Sequence, residues 1–175
     1  YLTPAGSDEC RSDILRICEG DIFAGNYREV QLPGAVAFPY RLLPLKKIKR
    51  WVLAAERDGH AVVYLSDDDG NTWRAVDIPK TDKFEMKPPH KGIRWENSGV
   101  EPTVSELADG RLMMILRTST DYHYVTYSAD FGETWSHAVP TAFHSTLTNP
   151  YLMRLSSGKI LFFYHNTKPL PEQDK

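Results

Sequence analysis

Apolar residues in this chain come in short, dense runs separated by polar turns rather than at the three-to-four-residue spacing of a helix face. Arg50-Trp51-Val52-Leu53-Ala54-Ala55 is followed by a turn at Asp58-Gly59 and then by Ala61-Val62-Val63-Tyr64-Leu65. Arg111-Leu112-Met113-Met114-Ile115-Leu116 leads through a turn around Ser119-Thr120-Asp121 into Tyr122-His123-Tyr124-Val125-Thr126-Tyr127. A third pair begins at Pro150-Tyr151-Leu152-Met153-Arg154-Leu155, turns at Ser157-Gly158 and continues through Lys159-Ile160-Leu161-Phe162-Phe163-Tyr164. Short runs rich in Val, Ile, Tyr and Phe, bounded by Gly, Asp and Ser, predict strands joined by tight turns. The chain is therefore expected to be all-β, with a short helix admitted only over Ser7 to Glu19.

The first two pairs each end in the same frame. Ser66-Asp67-Asp68-Asp69-Gly70-Asn71-Thr72-Trp73 and Ser128-Ala129-Asp130-Phe131-Gly132-Glu133-Thr134-Trp135 share Ser-x-Asp-x-Gly-x-Thr-Trp. The shared residues are those of a hairpin turn. Asp68 and Asp130 accept bonds from nearby backbone N–H groups, and Gly70 and Gly132 supply a positive φ. Ser66, Ser128, Thr72 and Thr134 complete the local hydrogen bonding, while Trp73 and Trp135 bring a large ring onto the sheet. The role read here is structural rather than catalytic. Asp67-Asp68-Asp69-Gly70 also invites a calcium reading, but a calcium loop needs acids at alternating positions, and position 65 is Leu. No metal and no cofactor are expected.

A sheet of four short strands with apolar faces needs neighbours on either side, and a repeat of such sheets predicts a β-propeller, whose blades run to roughly 40–45 residues and number about 4–8. The expected organisation is a lead-in or blade edge over 1–34, a blade with the first box over 35–78, a rim loop over 79–98, a blade with the second box over 99–140, and an incomplete blade over 141–175. That is about two to three blades, so the rest of a propeller is the first expected partner. The rim loop carries Lys87-Pro88-Pro89-His90, and loops of this kind often hold binding groups.

Composition narrows the function classes. With 175 residues, 41% of them hydrophobic, the chain can bury a core. A net charge of −2 and dispersed basic residues give no positive stripe for nucleic acid, and the short run Lys46-Lys47-Ile48-Lys49-Arg50 reads as a solvated connection. No apolar run reaches the ~20 residues of a membrane span. The chain opens on Tyr1 rather than Met, so a signal or other N-terminal region ahead of it is expected to be invisible here. Cys10 and Cys18 have no partner at metal spacing and can pair in an oxidising compartment.

The two boxes, the blade pattern and the stretch from Val100-Glu101-Pro102-Thr103 through Ala108-Asp109-Gly110-Arg111 to Ile115-Leu116-Arg117 together resemble the sialidase (neuraminidase) superfamily of Asp-box, or BNR-repeat, propellers. The resemblance runs from about Phe38 onward and implies a sialidase-type propeller, six-bladed when complete. It further implies that Glu101 polarises a Tyr nucleophile from a later blade and that Arg117 belongs to a trio gripping the substrate carboxylate. A phenol with an ordinary pKa near ~10 needs such a base, and a guanidinium matches a carboxylate bidentately. The stretch Phe143-His144-Ser145-Thr146-Leu147-Thr148-Asn149-Pro150 contains no Arg where the family places another. His144 and Asn149 stand there as candidate substrate contacts, and His90, Arg94 and Trp95 as a candidate sugar-binding rim.

The function implied is that of a carbohydrate-active enzyme, a sialidase-like exo-glycosidase acting on a terminal sugar of a glycan, sialic acid being one candidate. A polysaccharide lyase or another glycoside hydrolase on the same propeller is the second expectation, and a non-catalytic carbohydrate- or protein-binding propeller the third. A secreted or periplasmic location follows from that substrate class alone.

Overall fold

The computed structural model describes residues 2–4, 12–18, 25–36, 38–45, 47–82, 88, 99–145 and 148–167. Among them lie strands β1 (Leu2–Pro4), β2 (Ser12–Cys18), β3 (Tyr27–Val36), β4 (Phe38–Leu45), β5 (Arg50–Arg57), β6 (His60–Ser66) and β7 (Arg74–Asp77). These are followed by β8 (Val100–Glu106), β9 (Leu112–Arg117), β10 (Tyr122–Ser128), β11 (Val139–His144), β12 (Tyr151–Arg154) and β13 (Ile160–Phe163). They form four antiparallel sheets in the orders β1-β2-β3, β4-β5-β6-β7, β11-β10-β9-β8 and β12-β13. The first strands of successive blades adjoin, β8 lying against both β4 and β12. The architecture is all-β, in blades of the propeller kind.

The helix admitted over Ser7 to Glu19 does not form at its described residues, since 12–18 are β2. Leu15 and Ile17 are buried two residues apart, the period of a strand rather than a helix, and β3 supplies the hydrogen-bonding partner. Cys18 closes that strand; Cys10 lies outside the described residues.

The middle strands β5 and β6 are buried on both faces, which explains why they read as unbroken apolar runs rather than alternating ones. In β5 and β6, Leu53, Ala55, Val62 and Tyr64 pack with Leu15, Val30, Leu32 and Val36 of the first sheet. The intervening Val52, Ala54, Val63 and Leu65 pack with Leu112, Met114, Leu116 and Trp135 of the next blade. On the far side of that blade, Ile115 and Val125 meet Leu152 of the β12-β13 hairpin. Burying a side chain of this size contributes roughly 1.5–3 kcal/mol, so a single strand residue serves one interblade seam or the other according to its parity.

The two boxes fold alike. Ser66 Oγ and Thr72 Oγ1 donate to the Asp68 carboxylate at 2.9 and 2.7 Å, and the Thr72 N–H donates to it at 2.8 Å. Asp130 accepts from Ser128, Thr134 Oγ1 and the Thr134 N–H at 2.8, 2.6 and 2.9 Å. Gly70 and Gly132 have φ of 80° and 96°, and the preceding Asp69 and Phe131 share the left-handed region at 55° and 59°. Trp73 and Trp135 donate Nε1–H to the carbonyls of Gly70 and Gly132 at 2.9 and 3.1 Å. Arginines then fasten each box to the blade before it. Arg28 on β3 donates to the carbonyls of Asp69 and Gly70, and Arg50 on β5 reaches Glu133 of the second box.

Candidate functional site

Both boxes lie at one end of the blades, and the register places a different set of residues at the other. Val100 pairs with Arg117 and Tyr122 with His144, so the starts of β8 and β10 and the ends of β9 and β11 share the end opposite the boxes. Glu101 stands there with φ +47°, a region that residues other than Gly seldom occupy, and the following Pro102 restricts it further. The register slips between Val100 and Thr103. A slip of this kind re-aims a side chain, and here the Glu101 carboxylate meets Arg117.

The pair is close and shielded. Arg117 Nε lies 2.5 Å from Glu101 Oε2, and Nη2 donates to Oε1 at 3.0 Å. The two side chains are 17% and 16% exposed, too little for a solvated surface pair and too much for a sealed one. Asn149, on the connection from β11 to β12, completes the group. With its amide nitrogen toward the carboxylate it donates to both Glu101 oxygens, 2.9 Å to Oε1. Burial pushes the Glu101 carboxyl above the ordinary range, Arg117 works against that shift, and the charge of Glu56 adds to it. A backbone outlier bearing a half-buried carboxylate costs stability on two counts, and such costs gather at functional sites.

The other candidates fall elsewhere. His144 is at the end of the outer strand β11, stacked on Tyr122 with ring centroids 5.0 Å apart. His90, Arg94 and Trp95 lie outside the described residues. Two features had no signal in the sequence. His123 is fully buried against Phe162 and Tyr164 at 5.6 and 5.9 Å, and burial lowers its pKa, with Arg117 lowering it further against the opposing backbone of Leu116. Arg41 of β4 donates to Tyr151 Oη of β12 at 2.9 Å, with its guanidinium carbon 5.4 Å from the ring centroid. The recurrence of Pro-Tyr at Pro39-Tyr40 and Pro150-Tyr151 marks that region, but nothing in it reveals the pairing.

Comparison with known proteins identifies what this architecture is similar to. The model of the BNR repeat-like domain matches residues 31–173. Among solved structures, the NanB sialidase of Streptococcus pneumoniae, as its K499G mutant, superposes with a TM-score of 0.60 at 22% identity, over 82% of this chain and 22% of that one. A protein of unknown function from Dyadobacter fermentans DSM 18053 gives 0.54 at 22% identity, over 75% and 34% of the respective chains. The leech intramolecular trans-sialidase gives 0.50 at 21% identity, over 71% and 18%. No curated protein sequence matches. The chain thus spans between about a fifth and a third of the length of these structures, and at such identities the likeness establishes the fold.

Proposed function

Because the chain belongs to the BNR repeat-like domain family and is built as part of a sialidase-type propeller, we propose that its parent is a sialidase-like exo-glycosidase that hydrolyses a terminal, carboxylate-bearing sugar from a glycan. The observation that carries this reading is Glu101, held at positive φ with its carboxylate between Arg117 and Asn149. Glu101 acts as the base for a phenol nucleophile supplied by another part of the parent, since a phenol of pKa near ~10 is a poor nucleophile without one. Arg117 pairs with Glu101 through Nη2–H and an Nε in ion-pair contact, and its planar guanidinium has the geometry that matches a substrate carboxylate, which is the role we assign to it. This Tyr-based chemistry is a known exception to the carboxylate pair of most glycosidases.

The test is to incubate the complete parent and its Glu101→Gln variant with sialylated and uronate-containing glycans and to analyse the products by mass spectrometry. Release of a free terminal acidic sugar by the parent, lost in the variant, is the expected result. Products of the uronate-containing glycans that are one water lighter than those of hydrolysis and carry the ultraviolet absorbance of an unsaturated uronate identify a lyase instead, and no turnover of any substrate by the parent rejects the enzymatic reading.

A further inference from the structure

The turns that follow the first strands stand side by side at the box end of the blades, and a cleft opens among them. Leu45 pairs with Arg50 and Glu106 with Leu112, while Trp51 pairs with Ser66 and Leu112 with Ser128, the opening residues of the two boxes. The β4–β5 and β8–β9 turns therefore lie at the end remote from Glu101, and the β12–β13 turn joins them in lining a cleft of about 520 Å³. Its charge is one-sided: Arg41, Lys47 and Arg154 line it against the single carboxylate of Glu106. Arg154 is held from behind, Nη1 donating to the carbonyl of Glu106 at 2.7 Å, and its other nitrogens donate to no residue among those described. Lys47 is exposed and leans from its own turn onto the neighbouring one, where a Cβ on Gly110 would come within 2.7 Å of Nζ. Among the described residues it forms no ion pair. Cations gathered at one cleft repel one another, and a bound anion relieves the repulsion.

We propose that this cleft binds a small sugar carrying a sulfate or phosphate ester, at the end of the blades opposite Glu101. The inference uses none of the residues around Glu101 and does not depend on their role. The cations select the anion, because a planar guanidinium and an ammonium suit the several oxygens of an oxyanion. The rest of the lining selects what carries it. Glu106 and Ser156 are placed to exchange hydrogen bonds with hydroxyl groups, and Leu43 and Pro44 offer apolar surface to a pyranose ring. The volume falls within the roughly 300–1,000 Å³ of small-molecule sites, more than a bare ion fills. The blades of a propeller surround a central channel, and β8 adjoins β4 and β12 through their first-strand positions, so the remaining blades face this wall across the channel.

The experiment titrates the complete parent by calorimetry with glucose 6-sulfate, glucose 6-phosphate, glucose itself, and inorganic sulfate and phosphate. The expected result is that at least one ester binds about tenfold or more tightly than glucose and than either inorganic ion, and the tighter ester names the anion. Lys47→Glu, a change at an exposed side chain, weakens that ester about tenfold and leaves the melting temperature unchanged, Lys47→Arg keeps the affinity, and Arg154→Gln weakens it about fivefold. Added sodium chloride weakens the ester and not glucose. If no ester binds more tightly than glucose, or if Lys47→Glu keeps the parent's affinity, the cleft is rejected as an anion site. An inorganic ion that binds as tightly as its ester rejects the sugar and with it the proposal. Should Arg154→Gln melt early, the contrast between Lys47→Glu and Lys47→Arg decides alone. None of these outcomes bears on Glu101, whose own test reads the products of turnover.

Discussion

Arg50 Nη1 donates to Glu133 Oε1 at 2.7 Å, joining the second strand of one blade to the box of the next. The same guanidinium holds Asp67 of its own box through Nε and Nη2 at 2.6 and 2.9 Å, and it is only 12% exposed. The Asp67 hydrogen bond is the main reason its pKa is raised, against the effect of burial. Pairs shielded in this way and bonded at both prongs are worth more than exposed ones. Arg50→Ala should lower the stability of the complete propeller by about 1–2 kcal/mol, seen as an earlier urea midpoint. Arg50→Lys should recover only part of it, because an ammonium cannot fork. An unchanged midpoint in Arg50→Ala would show that the seam is held by its apolar contacts alone.

Gly70 carries two requirements at once. Its φ is 80°, and a Cβ there would lie 2.8 Å from Trp51 Cζ3 and 3.0 Å from Ile17 Cδ1. Gly59 has a φ of 74° with open space around it. Gly70→Ala should therefore cost about 2–4 kcal/mol, strain plus overpacking, and Gly59→Ala about 1 kcal/mol. Equal losses in denaturant titrations would leave no role for the close approach of Trp51 and Ile17.

Acid should unfasten the first box. The Asp68 carboxyl is lowered from its ordinary 3.8 to about 2, chiefly by the Thr72 N–H and then by the Thr72 hydroxyl. Between those two values the unfolded chain binds a proton that the folded chain does not, so the contribution of Asp68 is full above about pH 4 and is lost as pH falls toward about 2. Asp68→Asn should flatten the stability profile in that window. Parallel profiles for the variant and the parent would contradict it.

His123 titrates with the same sign in a higher window. Burial lowers its pKa from 6.5, so below about pH 6.5 the unfolded state takes up a proton first and stability falls as pH falls. His123→Phe, which keeps a ring against Phe162 and Tyr164, should lose less in melting temperature between pH 7.5 and pH 5.5 than the parent does. A drop equal to that of the parent would place the proton elsewhere.

Glu101 shifts the other way, its carboxyl raised by burial more than Arg117 lowers it. In the proposed role of base it would have to be ionised, so the acid limb of kcat/KM should lie above the ordinary Glu value of ~4.3. A limb at or below that value would assign the titration to another group.

The middle strands were legible in the sequence because residues of both parities are buried in them: Trp51 to Ala55 and Leu112 to Leu116 show as runs, and the boxes mark where each hairpin turns. Glu101 and Arg117 stood out in the sequence only through the family resemblance, and the structure brings the two side chains together. The positive φ that aims Glu101 was not legible, since it goes with the register shift between Val100 and Thr103, which depends on pairing with β9. The cage around His123 was equally hidden, because Phe162 and Tyr164 reach it from another sheet. Over Ser12 to Cys18 the chain pattern admitted a helix, and pairing with β3 decided otherwise.

The arginine fastenings and both boxes occupy one end of the blades, while Glu101, Arg117, Asn149 and the stacked Tyr122 and His144 occupy the other. The contacts that fasten blade to blade and the proposed Glu101 site therefore draw on separate residues. Changes at the Glu101 end, one loop or one strand start at a time, leave the arginine fastenings between neighbouring blades untouched.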